Sequence, residues 1–232
     1  MRKRMIAMVS FLTLAAVPAF AQTPKAEVGV VFGWVYSDGV SGSTRLVPGA
    51  GPGGGVGSFD RIDPKDSFGW GVDVGFFVSP NAEVGFMYGN QLSKLLVGGV
   101  AGTQDREIGD MSIRTYHGTF TYNFFEGDSR IRPYIMGGLG ATSFGAVDFT
   151  RADNGVRGTL DGSTKFSSTW GAGVKLYGSG RIGGRLGVSW TPTYIKSDAA
   201  GYWCDPYWGC YLVGDPQYSN QVMLNGGITV RF

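Results

Sequence analysis

Charged side chains are scarce in this 232-residue chain: Asp, Glu, Lys and Arg together make up 16% of it. There is one histidine, His117, and there are two cysteines, Cys204 and Cys210. So few imidazoles and thiols leave no clustered Cys/His pattern for a metal site, and neither a P-loop nor an H-E-x-x-H motif occurs. The formal net charge of +2 comes from the first residues, because Arg2, Lys3 and Arg4 precede an apolar run from Met5 to Val17 and the small-x-small pattern Ala19-Phe20-Ala21. That arrangement reads as a secretory signal peptide over residues 1–21. Cleavage after Ala21 leaves a domain at 22–232 and removes three cations, taking the charge from +2 to −1. No basic patch then argues for nucleic acid. The run is also short of the ~20 apolar residues that a spanning helix needs.

What is abundant is glycine, 40 residues without a collagen period, and aromatic residues at 14%. This is the composition of a strand-rich protein with tight turns. Period-two alternation runs through the chain. In Tyr218–Phe232 the even positions Tyr218, Val222, Leu224, Ile228, Val230 and Phe232 are apolar, while Ser219, Gln221, Asn225, Thr229 and Arg231 are polar. Similar strands are predicted at 27–37, 67–78, 82–92, 110–124, 131–144, 166–177 and 182–194, with the facing of 131–144 blurred by its glycines. Connections alternate long and short, the short ones at Ser79-Pro80-Asn81, Glu126-Gly127-Asp128-Ser129 and Gly178-Ser179-Gly180-Arg181. Long alternating strands, an even count and this asymmetry describe an all-β, antiparallel, up-and-down transmembrane β-barrel of about eight strands. Both termini are then periplasmic. A hairpin hidden in a long loop would make ten, and a soluble sandwich, with shorter strands of about 5 to 6 residues, is the alternative.

The ending Gly226-Gly227-Ile228-Thr229-Val230-Arg231-Phe232 resembles the closing strand of small bacterial outer-membrane β-barrels. Pro133–Gly140 and Trp170–Val174 resemble mid-barrel strands of the same group, the opacity-type and outer-membrane-protein-A-like domains. The resemblance implies an outer-membrane location, contact with its lipid, and Phe232 as a signal read by the barrel assembly machinery.

Candidate sites are few. Gly49-Ala50-Gly51-Pro52-Gly53-Gly54 spells G-x-G-x-x-G, but no helical period follows, so it reads as a surface loop and no cofactor is expected. Asp60, Asp63 and Asp66 do not have EF-hand spacing. His117 has lumen-facing parity, away from any lipid substrate, and reads as an interior polar residue. Cys204 and Cys210 lie six positions apart in an exported chain, which reads as a disulfide pinning a loop tip. Tyr202, Trp203, Tyr207, Trp208 and Tyr211 crowd that tip, where an extracellular ligand would be met. The inward parity of Asp73 and Glu83 on the second and third strands, against Lys175 and Arg185 on the sixth and seventh, predicts a charge cluster across the lumen, with strand two opposite six and three opposite seven. The expected function is a monomeric, non-enzymatic envelope-structural or surface-interaction barrel. The alternatives are a narrow pore and a lipid-modifying enzyme.

Overall fold

The computed structural model describes residues 25–41, 43–45, 59–99, 106–125, 129–150, 157–178, 180–195, 203–205, 209–212 and 217–232. Residues 1–21, read above as a signal peptide, and the Gly-rich run lie outside the described residues. In chain order the strands are β1 (Ala26–Asp38), β2 (Val40–Ser41), β3 (Ser43–Arg45), β4 (Phe59–Pro64), β5 (Ser67–Phe77), β6 (Ala82–Gly99), β7 (Arg106–Asn123), β8 (Ile131–Phe144), β9 (Val147–Thr150), β10 (Arg157–Leu160), β11 (Ser163–Tyr177), β12 (Ile182–Ile195), β13 (Trp203–Asp205), β14 (Gly209–Leu212) and β15 (Gln217–Arg231).

Eight of these close into an antiparallel barrel in the order β6-β5-β1-β15-β12-β11-β8-β7, with β7 returning to β6. Closure joins the two ends of the domain: Glu27 pairs with Arg231 and Asp38 with Asn220, while the Phe232 N–H donates to the Ala26 carbonyl at 2.9 Å. A closed barrel leaves no strand edge, which is what an apolar solvent demands of a backbone. The outward faces meet that demand too. Phe32, Trp34, Phe68, Phe86, Phe120, Leu139, Trp170 and Leu224 are each about half exposed or more, so the exposed band is apolar and the buried interior is largely polar. On β1 the outward row from Val28 to Tyr36 covers nine residues, close to the about 9–11 that a tilted spanning strand needs.

One end of the barrel carries the three short turns and both domain ends. At the other end the wall continues beyond the band. Sequence periodicity ends the third strand near Leu92, whereas β6 runs to Gly99 and β7 starts at Arg106. The reason is that apolar alternation stops where the outward residues become polar, at Lys94 and Asp110, and not where pairing stops: Lys94 still faces Asp110 across the ladder. β4 continues the edge that β5 began, pairing Pro64 with Leu95 and Ile62 with Val97, and β2 adds to β4.

The long connections contain hairpins, the condition named for a ten-strand count, but these stay outside the barrel wall and leave the count at eight. β9 pairs with β10, and β13 with β14. β14 pairs in turn with β3, so Cys210 lies opposite Arg45 and Leu212 opposite Ser43. With β9 against β7, β10 against β13 and β3 against β4, the loop strands form a collar above the band. Inside that end lies an apolar core of Val40, Ile62, Leu95, Met111, Ile113, Phe144 and Val147, flanked by Ile108, Leu160 and Ile195.

Candidate functional site

The half of the lumen nearest the short turns holds a lattice of charges. Lys175 on β11 sits between two carboxylates, with Nζ 2.6 Å from Glu27 Oε1 and 2.9 Å from Glu83 Oε1. Glu83 also accepts from Asn123 Nδ2 at 2.6 Å. Glu27 Oε2 accepts from the Tyr177 hydroxyl at 2.5 Å and from Arg231 Nε at 3.3 Å, and the Arg231 guanidinium lies 3.2 Å from the Tyr177 ring centre. One step up the barrel, Arg185 pairs with Asp73 at 2.5 Å and donates from Nε to the Tyr134 hydroxyl at 3.0 Å. The Tyr134 ring joins the two groups, lying 5.1 Å from the Arg185 guanidinium carbon and 5.5 Å from Lys175 Nζ. Cations so placed over an aromatic face gain electrostatic attraction in addition to their ion pairs.

Burial of this kind is tolerable only when each ion is both paired and hydrogen-bonded. Lys175, Glu27 and Glu83 are all nearly or fully buried, and each has at least two polar partners. Small inward residues make the room. A Cβ on Gly29 would lie 2.7 Å from the Asp73 carboxylate, one on Gly75 2.8 Å from that of Glu83, and one on Gly187 2.6 Å from the Tyr134 hydroxyl. Fully buried Arg132 closes the mouth beneath, donating to the carbonyls of Pro80 at 2.7 Å and Phe125 at 3.1 Å. It thereby ties two of the short turns together.

Asp73, Glu83, Lys175 and Arg185 thus come together inside the barrel, but with exchanged partners. The second strand (β5) bonds to the seventh (β12) and the third (β6) to the sixth (β11), the reverse of the diametric expectation. Strand tilt displaces heights around a barrel, so Glu83, at the start of β6, is level with Lys175, whereas Asp73, four residues before the end of β5, meets Arg185. Glu27, Tyr134, Tyr177, Arg231 and Arg132 are the members that the sequence reading left out.

Above the lattice lies a cavity of about 70 Å³, lined by Met87, Met136, Met223, Gln91, Thr191 and Gln221 among others. That is room for a few water molecules. Fully buried His117 points into the wall side of the lumen, with Nε2 2.9 Å from Ser167 Oγ. Thr142 donates to Ser167 at 3.0 Å and Thr193 to Thr142 at 3.0 Å, while His117 Nδ1 has no protein partner. His117 and Ser167 thus belong to a buried polar chain that runs on through Thr142 to Thr193.

Elsewhere, Asp63 pairs with Arg61 and Asp66 accepts from the Ser37 N–H at 2.8 Å. Cys204 stands directly opposite Cys210 in the β13–β14 ladder, and Trp203 opposite Tyr211. Tyr202, Tyr207 and Trp208 lie outside the described residues. Phe232 is outward-facing, and its carbonyl accepts from the Lys25 N–H at 2.7 Å.

Comparison with solved structures finds the same architecture. The chain is similar to the outer membrane protein AlkL, solved in DMPC lipid bilayers, with a TM-score of 0.53 and 17% identity over 94% of each chain. It is similar to OprG from Pseudomonas aeruginosa, with a TM-score of 0.53 and 12% identity over 92% of this chain and 96% of that one. Neisserial surface protein A also aligns, at a TM-score of 0.48 and 11% identity, over 92% of this chain and all of that one. No curated protein sequence matches. Residues 7–230 match the family described as outer membrane protein beta-barrel domain. An eight-stranded barrel with an apolar exterior, a charge-filled interior and this match together make the chain a member of that bacterial outer-membrane β-barrel family.

Proposed function

We propose that this protein is a closed, non-enzymatic outer-membrane barrel that acts through its extracellular collar rather than by passing solutes. The observation that carries this reading is that the lumen is filled twice, by the ion lattice near the short turns and by the apolar core beneath the collar. On this reading the short turns and both domain ends face the periplasm, and the collar faces the outside. The barrel works as a monomer, has no nucleic-acid partner, and is delivered by the assembly machinery that reads Phe232. The collar presents the aromatic hairpin around Cys204 and Cys210 to an extracellular ligand.

Planar-bilayer recording tests the closed state. The wild-type protein is expected to show no unitary conductance, and the paired replacement Lys175→Ala with Arg185→Ala to show brief openings. Steady wild-type conductance would replace this reading with the narrow pore.

The register supports a Cys204–Cys210 disulfide, because directly opposed residues of an antiparallel pair lie about 4.5–5.5 Å apart at Cα, within the span of that bond. Oxidation to one S–S bond would release two protons and pass two electrons to a thiol oxidant of the envelope. An impermeant maleimide should then label intact cells only after reduction; labelling beforehand would rule the bond out.

A further inference from the structure

Beyond residue 21 the chain has four methionines, Met87, Met111, Met136 and Met223. Met111 belongs to the apolar core beneath the collar. The other three all line the cavity of about 70 Å³ above the ion lattice. They come to it from three sectors of the wall, Met87 on β6, Met223 on β15 and Met136 on β8, which lie three, three and two strands apart around the closed sheet. Side chains spaced in this way converge on the barrel axis rather than stacking along one face. Met87 and Met136 also border a smaller cavity of about 20 Å³ beside Asp73 and Glu83, so both reach into the lumen. Glycines on the wall leave the thioethers room to turn: Met136 Cε and Cγ lie 3.2 Å from where a Cβ on Gly171 would be, and Met223 Cε 3.8 Å from one on Gly69. What methionine adds to a gap-filling side chain is a polarizable sulfur on a flexible stem.

A nitrogen donor stands beside them. His117 is directly opposite Met87 in the β6–β7 ladder, a pairing that sets side chains on one face about 4.5–5.5 Å apart at Cβ. The imidazole is fully buried, with Nε2 held at Ser167 Oγ, and Nδ1 has no partner among the described residues. A buried ring nitrogen without a partner calls for one.

We propose that Met87, Met136, Met223 and His117 form a buried site for a soft monovalent cation, Cu(I) or its analogue Ag(I). Thioether sulfur and imidazole nitrogen are donors suited to this class of ion, whereas Mg(II) and Ca(II) take oxygen and Zn(II) takes thiolate, imidazole or carboxylate. Among the described residues no group of three His, Cys, Asp or Glu side chains is placed to hold a metal, so the donor set is the soft one. A single charge also suits the chamber better than two, because Arg185 lines it as well and Asp73 is already bonded to Arg185. His117 donates Nε2–H to Ser167 and offers the Nδ1 lone pair to the ion, an arrangement in which the second hydrogen bond fixes the tautomer of a metal-binding histidine. With the lattice below and the apolar core above, the ion is loaded as the barrel folds and exchanges slowly afterwards.

The test uses the full-length barrel carrying Cys204→Ser and Cys210→Ser, so that no thiol competes for the ion. It is refolded in micelles with Ag(I), with Cu(I) under anaerobic reducing conditions, or with Zn(II), and heat-modifiable mobility reports folding. After a chelating wash, native mass spectrometry is expected to count about one Ag(I) or Cu(I) per barrel and no Zn(II). With carbon-13-methyl methionine, the Met87, Met136 and Met223 signals should shift together on loading with Ag(I) while Met111 stays in place. Met87→Leu, Met136→Leu and Met223→Leu combined, a change that nearly conserves volume, should abolish retention. His117→Gln should weaken it by about tenfold or more, and Met111→Leu should leave it unchanged. Failure of the methionine-intact barrel to retain a soft ion, equal retention of Zn(II), or a shift confined to Met111 overturns the proposal whether or not the triple variant folds. Undiminished retention in the folded triple variant or in His117→Gln overturns it as well.

Discussion

Lys175 shows how one side chain sets the cost of the interior. Among the described residues it is the one ion-pair partner shared by Glu27 and Glu83, so Lys175→Ala leaves two carboxylates facing each other out of water. Loss of one partner of a buried pair costs about 3–5 kcal/mol, and that is the destabilisation expected in urea unfolding from micelles. Adding Glu83→Gln should recover part of it, because one uncompensated charge is then gone. A single variant with wild-type stability would mean that water already reaches the lattice. Parity made Lys175 legible in the sequence, and it also turned Glu27 and Arg231 inward. Their role was missed because they are neighbours across the β1–β15 closure rather than on opposing walls. Arg132 escaped for another reason: Gly137, Gly138 and Gly140 follow it on β8, and glycine gives a period-two pattern no sign of which face is in.

At the scale of the element, the faces of the eight wall strands were readable because each must present one row to hydrocarbon. The ends of β6 and β7 were not. Above the membrane both faces of a strand are free to be polar, and alternation no longer marks pairing. The same argument explains why β9–β10 and β13–β14, of three to four residues each, left no periodic signal. The projecting part of β6 and β7 has its own electrostatics. Hydrogen bonds from Lys65 and then Lys94 hold the exposed Glu107 carboxyl down at about 2, from an ordinary 4.5, and Glu107 in turn raises the Lys94 amine. A carboxyl depressed on folding adds stability above its unfolded value, and the contribution is lost as pH falls from about 4.5 through about 2. The rim contact is therefore expected to be unchanged between neutral pH and pH 5. A carbon-13 titration of the Glu107 carboxyl should give a midpoint near 2, moving up towards 4.5 in Lys65→Gln. A midpoint near 4.5 in the wild type would show that the amines are not held there.

For the molecule as a whole, the decisive join is between the two ends of the domain. Phe232 is bonded through both backbone groups to the start of β1, and its ring continues the outward row of β15. Deleting it should lower the yield of heat-modifiable barrel in the membrane fraction, with precursor or periplasmic aggregate accumulating. An undiminished yield would mean that the terminal residue is dispensable for assembly.

The pairing of β14 with β3 brings residues near position 210 beside residues near position 45. On the proposed orientation, with the collar facing outward, this pairing makes a discontinuous epitope that forms only when the two stretches meet. Antibodies raised against whole cells and directed there should bind the folded protein and fail on linear peptides from either stretch. Variation in one of the two stretches is constrained by the other, so an escape substitution in β3 must still accommodate its partner strand.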